Sequence, residues 1–218
     1  MTVRLPLFPL GTVLFPGLLL PLHVFEDRYR RLVRDLIAAP EDEQRFGVVA
    51  IREGREVGSD GVRALHAVGC VARLRRVESY DDGRFDIVST GDQRFRLAGV
   101  NDTLPYLRGD VELLHDVPGE SPELLAASVR DMFARYRQAL GVADGMDAGL
   151  GEEPRLLSYL VAATVVLDLS DKQRLLEAPN TTERLRAELR LLRRETALLA
   201  LLPSLPGVEL TRLPASPN

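Results

Sequence analysis

One cysteine, one lysine, three histidines and no tryptophan are spread over 218 residues, and each scarcity closes off a class of chemistry. Cys70 by itself can form neither an intramolecular disulfide nor a cysteine-rich zinc site. Its setting, Val68-Gly69-Cys70-Val71-Ala72, is that of a small buried hydrophobe rather than a nucleophile with a base beside it. A phosphate-cradling P-loop needs a glycine-rich turn before its lysine. Lys172 instead follows Asp168-Leu169-Ser170-Asp171, with no glycine and two carboxylates that repel phosphate. A serine–lysine dyad needs a desolvated lysine as base. Here Ser170 reads as a helix cap and Lys172 as a surface residue. His23, His66 and His115 lie on separate segments without H-x-H or H-x-x-x-H spacing, so neither a metal nor another cofactor is expected. The formal net charge of −4 supplies no general attraction for nucleic acid or an anionic membrane.

What is present begins with an unusual N-terminal run, Leu5 to Leu22, apolar almost throughout but interrupted by Pro6, Pro9, Pro16 and Pro21. No helix passes through such a run, which removes both a bilayer span and a signal-peptide core. With no cleavable leader visible, the cytoplasm is the expected compartment. Two extended segments, Val3–Leu10 and Gly11–Pro21, are expected instead, with charges and a first helix starting near His23. Phe25–Ala38 has apolar residues at helical spacing (Phe25, Tyr29, Leu32, Val33, Leu36, Ile37) and Pro40 just past its end. The period then changes. Phe46–Arg52, His66–Val77, Phe85–Val100 and Tyr106–His115 read as strands. Asp81-Asp82-Gly83 is a hairpin turn, and Gly91 marks a bulge or bend.

Beyond Ser121 the spacing becomes helical. Ser121-Pro122-Glu123 reads as a cap, a first-turn proline and an acidic first turn, followed by the stripe Leu125, Val129, Met132, Phe133, Tyr136, Leu140. A Gly/Asp-rich connector spans 141–151, and Pro154–Leu167 is apolar nearly all round, as a central buried helix would be. Ser170 with Gln173, and Asn180 with Glu183, read as capping boxes for a short helix and for a long one from Thr181 to about Leu202. The division expected is 1–118 β-rich, 119–203 helical, and 204–218 a mobile Pro/Ser-rich tail.

The residues Leu5–Pro9, Phe15-Pro16-Gly17 and Pro21-Leu22-His23-Val24-Phe25-Glu26-Asp27-Arg28-Tyr29 resemble the opening of the Lon protease N-terminal (substrate-binding) domain family, especially its short stand-alone members. The likeness continues through Val68–Arg73, Asp82-Gly83-Arg84-Phe85, Gly91-Asp92-Gln93-Arg94-Phe95 and Lys172–Glu177, so it runs over nearly the whole chain. It implies an α+β fold, a PUA-like β-pseudobarrel followed by a C-terminal helical bundle. It also implies a stand-alone member without the ATPase and peptidase domains, hence a non-enzymatic module that binds unfolded or hydrophobic polypeptides, with a protease or chaperone as a further partner. The candidate polypeptide-binding or interdomain residues are Phe15, Pro16, Leu18, Leu20, His23, Phe25, Glu26, Tyr29 and Arg94. Glu26 and Arg94 are expected to form an internal pair, or separate caps, locking the first helix to the barrel. His23 is expected to hydrogen-bond local backbone. A small hydrolase and an RNA-binding PUA-like module are the alternatives. The basic clusters Arg63/Arg73/Arg75/Arg76 and Arg190/Arg193/Arg194 lie among acids, without interleaved aromatic residues, and read as solvated faces.

Overall fold

A computed structural model describes residues 2–54, 62–142 and 153–201. Seven strands come first: β1 (Thr2–Leu10), β2 (Leu19–Val24), β3 (Arg45–Gly54), β4 (Val62–Leu65), β5 (Val68–Ser79), β6 (Phe85–Asn101) and β7 (Arg108–Leu113). Helix α1 (Asp27–Ala38) lies between β2 and β3, and α2 (Pro122–Ala139), α3 (Pro154–Thr164), α4 (Leu169–Glu177) and α5 (Thr181–Leu201) follow the last strand. The expected tail, 204–218, and most of the expected connector lie outside the described residues, as does the side chain of Arg63.

The strands close on themselves. β1 pairs antiparallel with β7 and parallel with β3, and β7, β6, β5 and β3 are joined antiparallel, so the ring β1-β7-β6-β5-β3 has no free edge. β4 adds to β3 and β2 adds to β6 outside that ring. Closure explains why several strands are apolar on consecutive residues. Leu5 and Leu7 of β1, Val49 of β3 and Val71 of β5 share one cluster with Phe95 and Val111. Their immediate neighbours Phe8, Leu10, Phe46, Val48, Cys70 and Ala72 share another with Leu32, Val33 and Leu36 of α1. Both faces of these strands are therefore buried, and period-2 alternation disappears. α1 seats on the outer face, with Tyr29 stacked on Phe8 at a ring separation of 4.1 Å.

Gly91 is where the irregular segment 11–18 meets the ring. Its N–H donates to Leu18 O and its carbonyl accepts from Gly17 N, both at 2.8 Å. A β-carbon there would lie 2.3 Å from Phe15 O, so only glycine permits this approach. The ladder between β5 and β6 shifts register at the same place.

Several local expectations are corrected. The second extended segment is not 11–21 but Leu19–Val24, so His23 ends a strand instead of opening a helix. α1 starts at Asp27, and Glu26 makes no side-chain cap. Ser121 does not cap α2 through its side chain. It takes a left-handed conformation (φ 47°) and leaves the start of the helix to Pro122. α4 is capped by Asp168, whose carboxylate accepts from Asp171 N at 2.7 Å, whereas Ser170 Oγ only donates to that same carboxylate. Asn180 does cap α5, accepting from Glu183 N at 2.8 Å. α3 ends at Thr164 rather than Leu167, leaving the exposed Val166 beyond it, and Leu156 within it is exposed, so the third helix is not apolar-buried all round. Lys172 is half-buried, not a surface residue: Nζ donates to Ala163 O, and burial lowers its pKa.

Candidate functional site

The nine candidate residues separate into three environments. Phe15 and Pro16 are buried, with Phe15 packed among Val68, Tyr159, Ala162, Leu175 and Leu176 where the barrel meets the helices. Tyr29 is buried on the inner face of α1, and Leu18 and Leu20 are half-buried against the core. These five are packing residues.

Arg94 is 3% exposed and forms a joint between barrel and helices. From β6 its Nε and Nη2 reach Asp116 at 3.0 and 2.8 Å, while Nη1 donates to Leu176 O (2.8 Å) and Ala178 O (2.7 Å) at the end of α4. A guanidinium placed there meets the partial negative charge of a helix C-terminus and one carboxylate together. Tyr159 OH donates to Asp116 (2.7 Å), and the fully buried Arg184 donates to Tyr159 OH, Ser158 Oγ and Leu175 O. Glu26 is elsewhere, paired with Arg28 at 3.0 Å, so the expected Glu26–Arg94 pair does not exist. Arg94 locks the barrel to α4 rather than to α1.

Only His23 and Phe25 of the nine stand exposed together. β2 alternates: Leu20, Leu22 and Val24 turn toward the core, while Leu19, Pro21 and His23 turn outward. Leu19 is 68% and Phe25 50% exposed. β2 bonds to β6 along one side, and among the described residues no strand pairs with its other side. Pro21 suits such an edge because it has no N–H to leave unpaired. Near the start of this edge, a β-carbon on Gly17 would lie 3.9 Å from Leu156 of α3, itself exposed. Leu156 thus lies beside Gly17, and the exposed Leu19, Pro21, His23 and Phe25 follow along the edge of β2.

At its far end the β5–β6 hairpin contributes residues that sequence reasoning missed. His23 lies 6.2 Å from Phe25 and 6.3 Å from Tyr80, ring centre to ring centre. His23 Nδ1 donates to Asp86 Oδ1 at 2.6 Å, not to local backbone as expected, and Tyr80 OH donates to Asp86 Oδ2 at 2.6 Å. These two bonds, Tyr80's first, hold the Asp86 carboxyl below its ordinary value. The pairing His23↔Asp86 across β2 and β6 is what assembles the cluster, and no local pattern signals it. A carboxylate-oriented imidazole is half of a hydrolytic arrangement. Here, however, Nε2 faces Arg84 Nη1 at 3.5 Å, a cation where a nucleophile would have to sit. Cys70 cannot serve, being buried in the barrel wall with its thiol pushed far up by desolvation.

Among the described residues no cluster of His, Cys, Asp and Glu could hold a metal ion, and no helix is long and apolar enough to cross a membrane. Arg73 and Arg76 are engaged by Asp92 and Glu78.

The family model of the ATP-dependent protease La (LON) substrate-binding domain matches residues 4–194. The Lon protease 2 of Herpetosiphon aurantiacus is 31% identical over 192 residues, covering 85% of this chain and 23% of that protein. The Lon protease of Anaeromyxobacter dehalogenans is 30% identical over 204 residues, 90% of this chain and 24% of that protein. The chain therefore spans less than a third of the length of these relatives. The N-terminal domain of the Mycobacterium avium complex Lon protease superposes with a TM-score of 0.68 at 18% identity, covering 89% of this chain and 98% of that one. The Lon N-terminal domain protein from Xanthomonas campestris gives 0.61 at 26% identity, covering 92% and 99%.

Proposed function

Because the chain belongs to the Lon substrate-binding domain family, we propose that it is a substrate-recognition module that holds unfolded or hydrophobic polypeptide segments without itself catalysing a reaction. In this reading the five-strand ring is a PUA-like pseudobarrel (1–118), the helices form a second subdomain (119–203), and a protease or chaperone receives what the module binds.

The observation that carries the reading is the strip along β2. Leu19 and Phe25 are large, exposed and flank an unpaired strand edge, with Tyr80 and His23 completing an aromatic end. An extended apolar segment laid along this edge would bury Leu19, Pro21 and Phe25. Main-chain bonding to β2 would be interrupted at Pro21, which has no N–H, so side-chain burial supplies most of the affinity. A strip of this size would bury on the order of 600–1,000 Å², a transient interface of about micromolar affinity. Apolar burial is insensitive to salt, whereas phosphate contacts weaken steeply with it.

The test is a titration of a fluorescently labelled, permanently unfolded protein and of a labelled single-stranded RNA at two ionic strengths, with the Leu19→Asp/Phe25→Asp double variant alongside. The reading requires polypeptide binding that salt leaves nearly unchanged and that the double variant loses. RNA binding alone, or polypeptide binding indifferent to the double variant, overturns it.

A further inference from the structure

A second surface, on the helices, is independent of the β2 strip. α4 and α5 form a hairpin in which Asp171, at the start of α4, is 2% exposed and is held by Arg174 and by Arg194 of α5. Burial would raise this carboxyl's pKa, but the hydrogen bonds from Arg194 and Arg174 hold it below the ordinary range, so it remains ionised. Between the helices runs a groove of about 540 Å³. Its α5 wall is Glu183, Ala187, Arg190, Leu191 and Arg194, and its α4 wall is Asp171, Arg174, Leu175 and Ala178. The spacing on each wall is that of a single helix face, so the groove follows α5 for about 16 Å, the rise of eleven residues at ~1.5 Å each, and α4 for about 10 Å, the rise of seven. Its floor, Leu175, Ala178, Ala187 and Leu191, is apolar and contains small residues that allow close approach.

The charges on the rim choose the occupant. Asp171 is neutralised by two arginines, and Glu183 is paired with Arg186. Arg190 is exposed and, among the described residues, has no carboxylate at ion-pair distance, so the rim's uncompensated charge is positive in a protein of net charge −4. We propose that the α4–α5 groove docks an amphipathic helix of about three turns from another protein, with apolar residues at i, i+4 and i+7 on the floor and a carboxylate against Arg190. A two-walled trough with helical spacing on both walls can receive a third helix along α5 by ridge-and-groove packing. A second copy of this face would bring the same positive rim, and no added carboxylate, to Arg190.

The test uses the full chain and a capped synthetic amphipathic peptide with leucines at that spacing and flanking glutamates, followed by fluorescence anisotropy. A matching peptide with lysines for the glutamates and an unstructured apolar peptide are run beside it. The acidic helix binds, and affinity falls between about 0.05 M and about 0.5 M salt as the charge contact is screened. Arg190→Glu, on an exposed position with the fold intact by circular dichroism, weakens the acidic peptide about three- to tenfold and strengthens the lysine peptide. Ala187→Trp, which fills the floor, abolishes both. No binding of the acidic helix, equal binding to Arg190→Glu, a preference for the unstructured peptide that Ala187→Trp removes, or a dimer in sedimentation that Arg190→Glu dissolves would each overturn the proposal. Binding at β2 does not enter, because the Leu19→Asp/Phe25→Asp variant should take the acidic helix unchanged.

Discussion

Replacing Arg94 by methionine keeps most of the buried volume and removes the charge that joins the two halves. In the native chain the guanidinium serves Asp116 twice and the carbonyls of Leu176 and Ala178 once each. After the change Asp116 keeps Tyr159 OH at 2.7 Å, and among the described residues Arg155 at 3.6 Å is the only cation left to it. The two carbonyls at the end of α4 lose this donor inside the protein. Removing one partner of a buried ion pair costs about 3–5 kcal/mol, because the other partner remains desolvated. Partial compensation by Tyr159 and Arg155 places the expectation at about 3 kcal/mol, near the lower end. For a chain of this size that corresponds to a fall in Tm of roughly 6–12 °C. Arg94→Lys should recover little, since one ammonium cannot reach the carboxylate and two carbonyls in the guanidinium's fixed directions. Urea unfolding followed by far-ultraviolet circular dichroism and by tyrosine fluorescence supplies ΔG and tests whether both halves unfold together. A loss below about 1 kcal/mol would show that Arg94 contributes only as an ordinary hydrogen-bonding residue, and the joint argument would fail. Unfolding of the helices ahead of the barrel in the variant alone would show the clamp directly.

Other outcomes follow from single sites. Glu188 is buried and, among the described residues, neither carboxylate oxygen has a hydrogen-bond partner; desolvation raises its pKa well above 4.5, against a smaller lowering by Arg184. The folded state therefore keeps a proton that the unfolded chain releases above about pH 4.5, so this group's contribution to stability is full below that pH and falls as pH rises toward its folded-state pKa, by up to about 1.4 kcal/mol per unit. Glu188→Gln should flatten this slope in urea titrations across pH, and parallel profiles for the two proteins would refute it. Gly91→Ala forces a β-carbon to 2.3 Å from Phe15 O, a backbone atom, and should cost about 1–3 kcal/mol of ΔG in urea unfolding, whereas Gly99→Ala meets nothing within 4 Å and should cost far less. Phe25→Asp, on an exposed position, should change thermal stability by less than about 0.5 kcal/mol while weakening polypeptide binding, and a large fall in Tm would mean that Phe25 is a packing residue instead.

Local chemistry determined much of this protein. The prolines of 5–22 excluded helix there, helical spacing placed α1, α2 and α5, Asp81-Asp82-Gly83 specified the β5–β6 turn, and Cys70 was legible as core. Each of these depends on residues a few positions apart, whose steric and periodic constraints act before any tertiary contact exists. One residue that carries the family resemblance, Gly91, sits where a β-carbon would meet Phe15 O at 2.3 Å, so a local motif there reflects a close backbone approach. What tertiary structure alone decided was which side chains face water. A strand buried on both faces and one with an open edge can both be apolar at every position, so Leu7 of β1 and Leu19 of β2 were indistinguishable until the ring closed and β2 fell outside it. Arg94 could be recognised as special, but its partners lie 22, 82 and 84 residues away, and no spacing rule reaches them. The same holds for His23, Asp86 and Tyr80, brought together only by the register of β2 on β6. Long-range pairing sets such constellations through the burial of the whole chain, and that burial is a property of the assembled fold rather than of any segment.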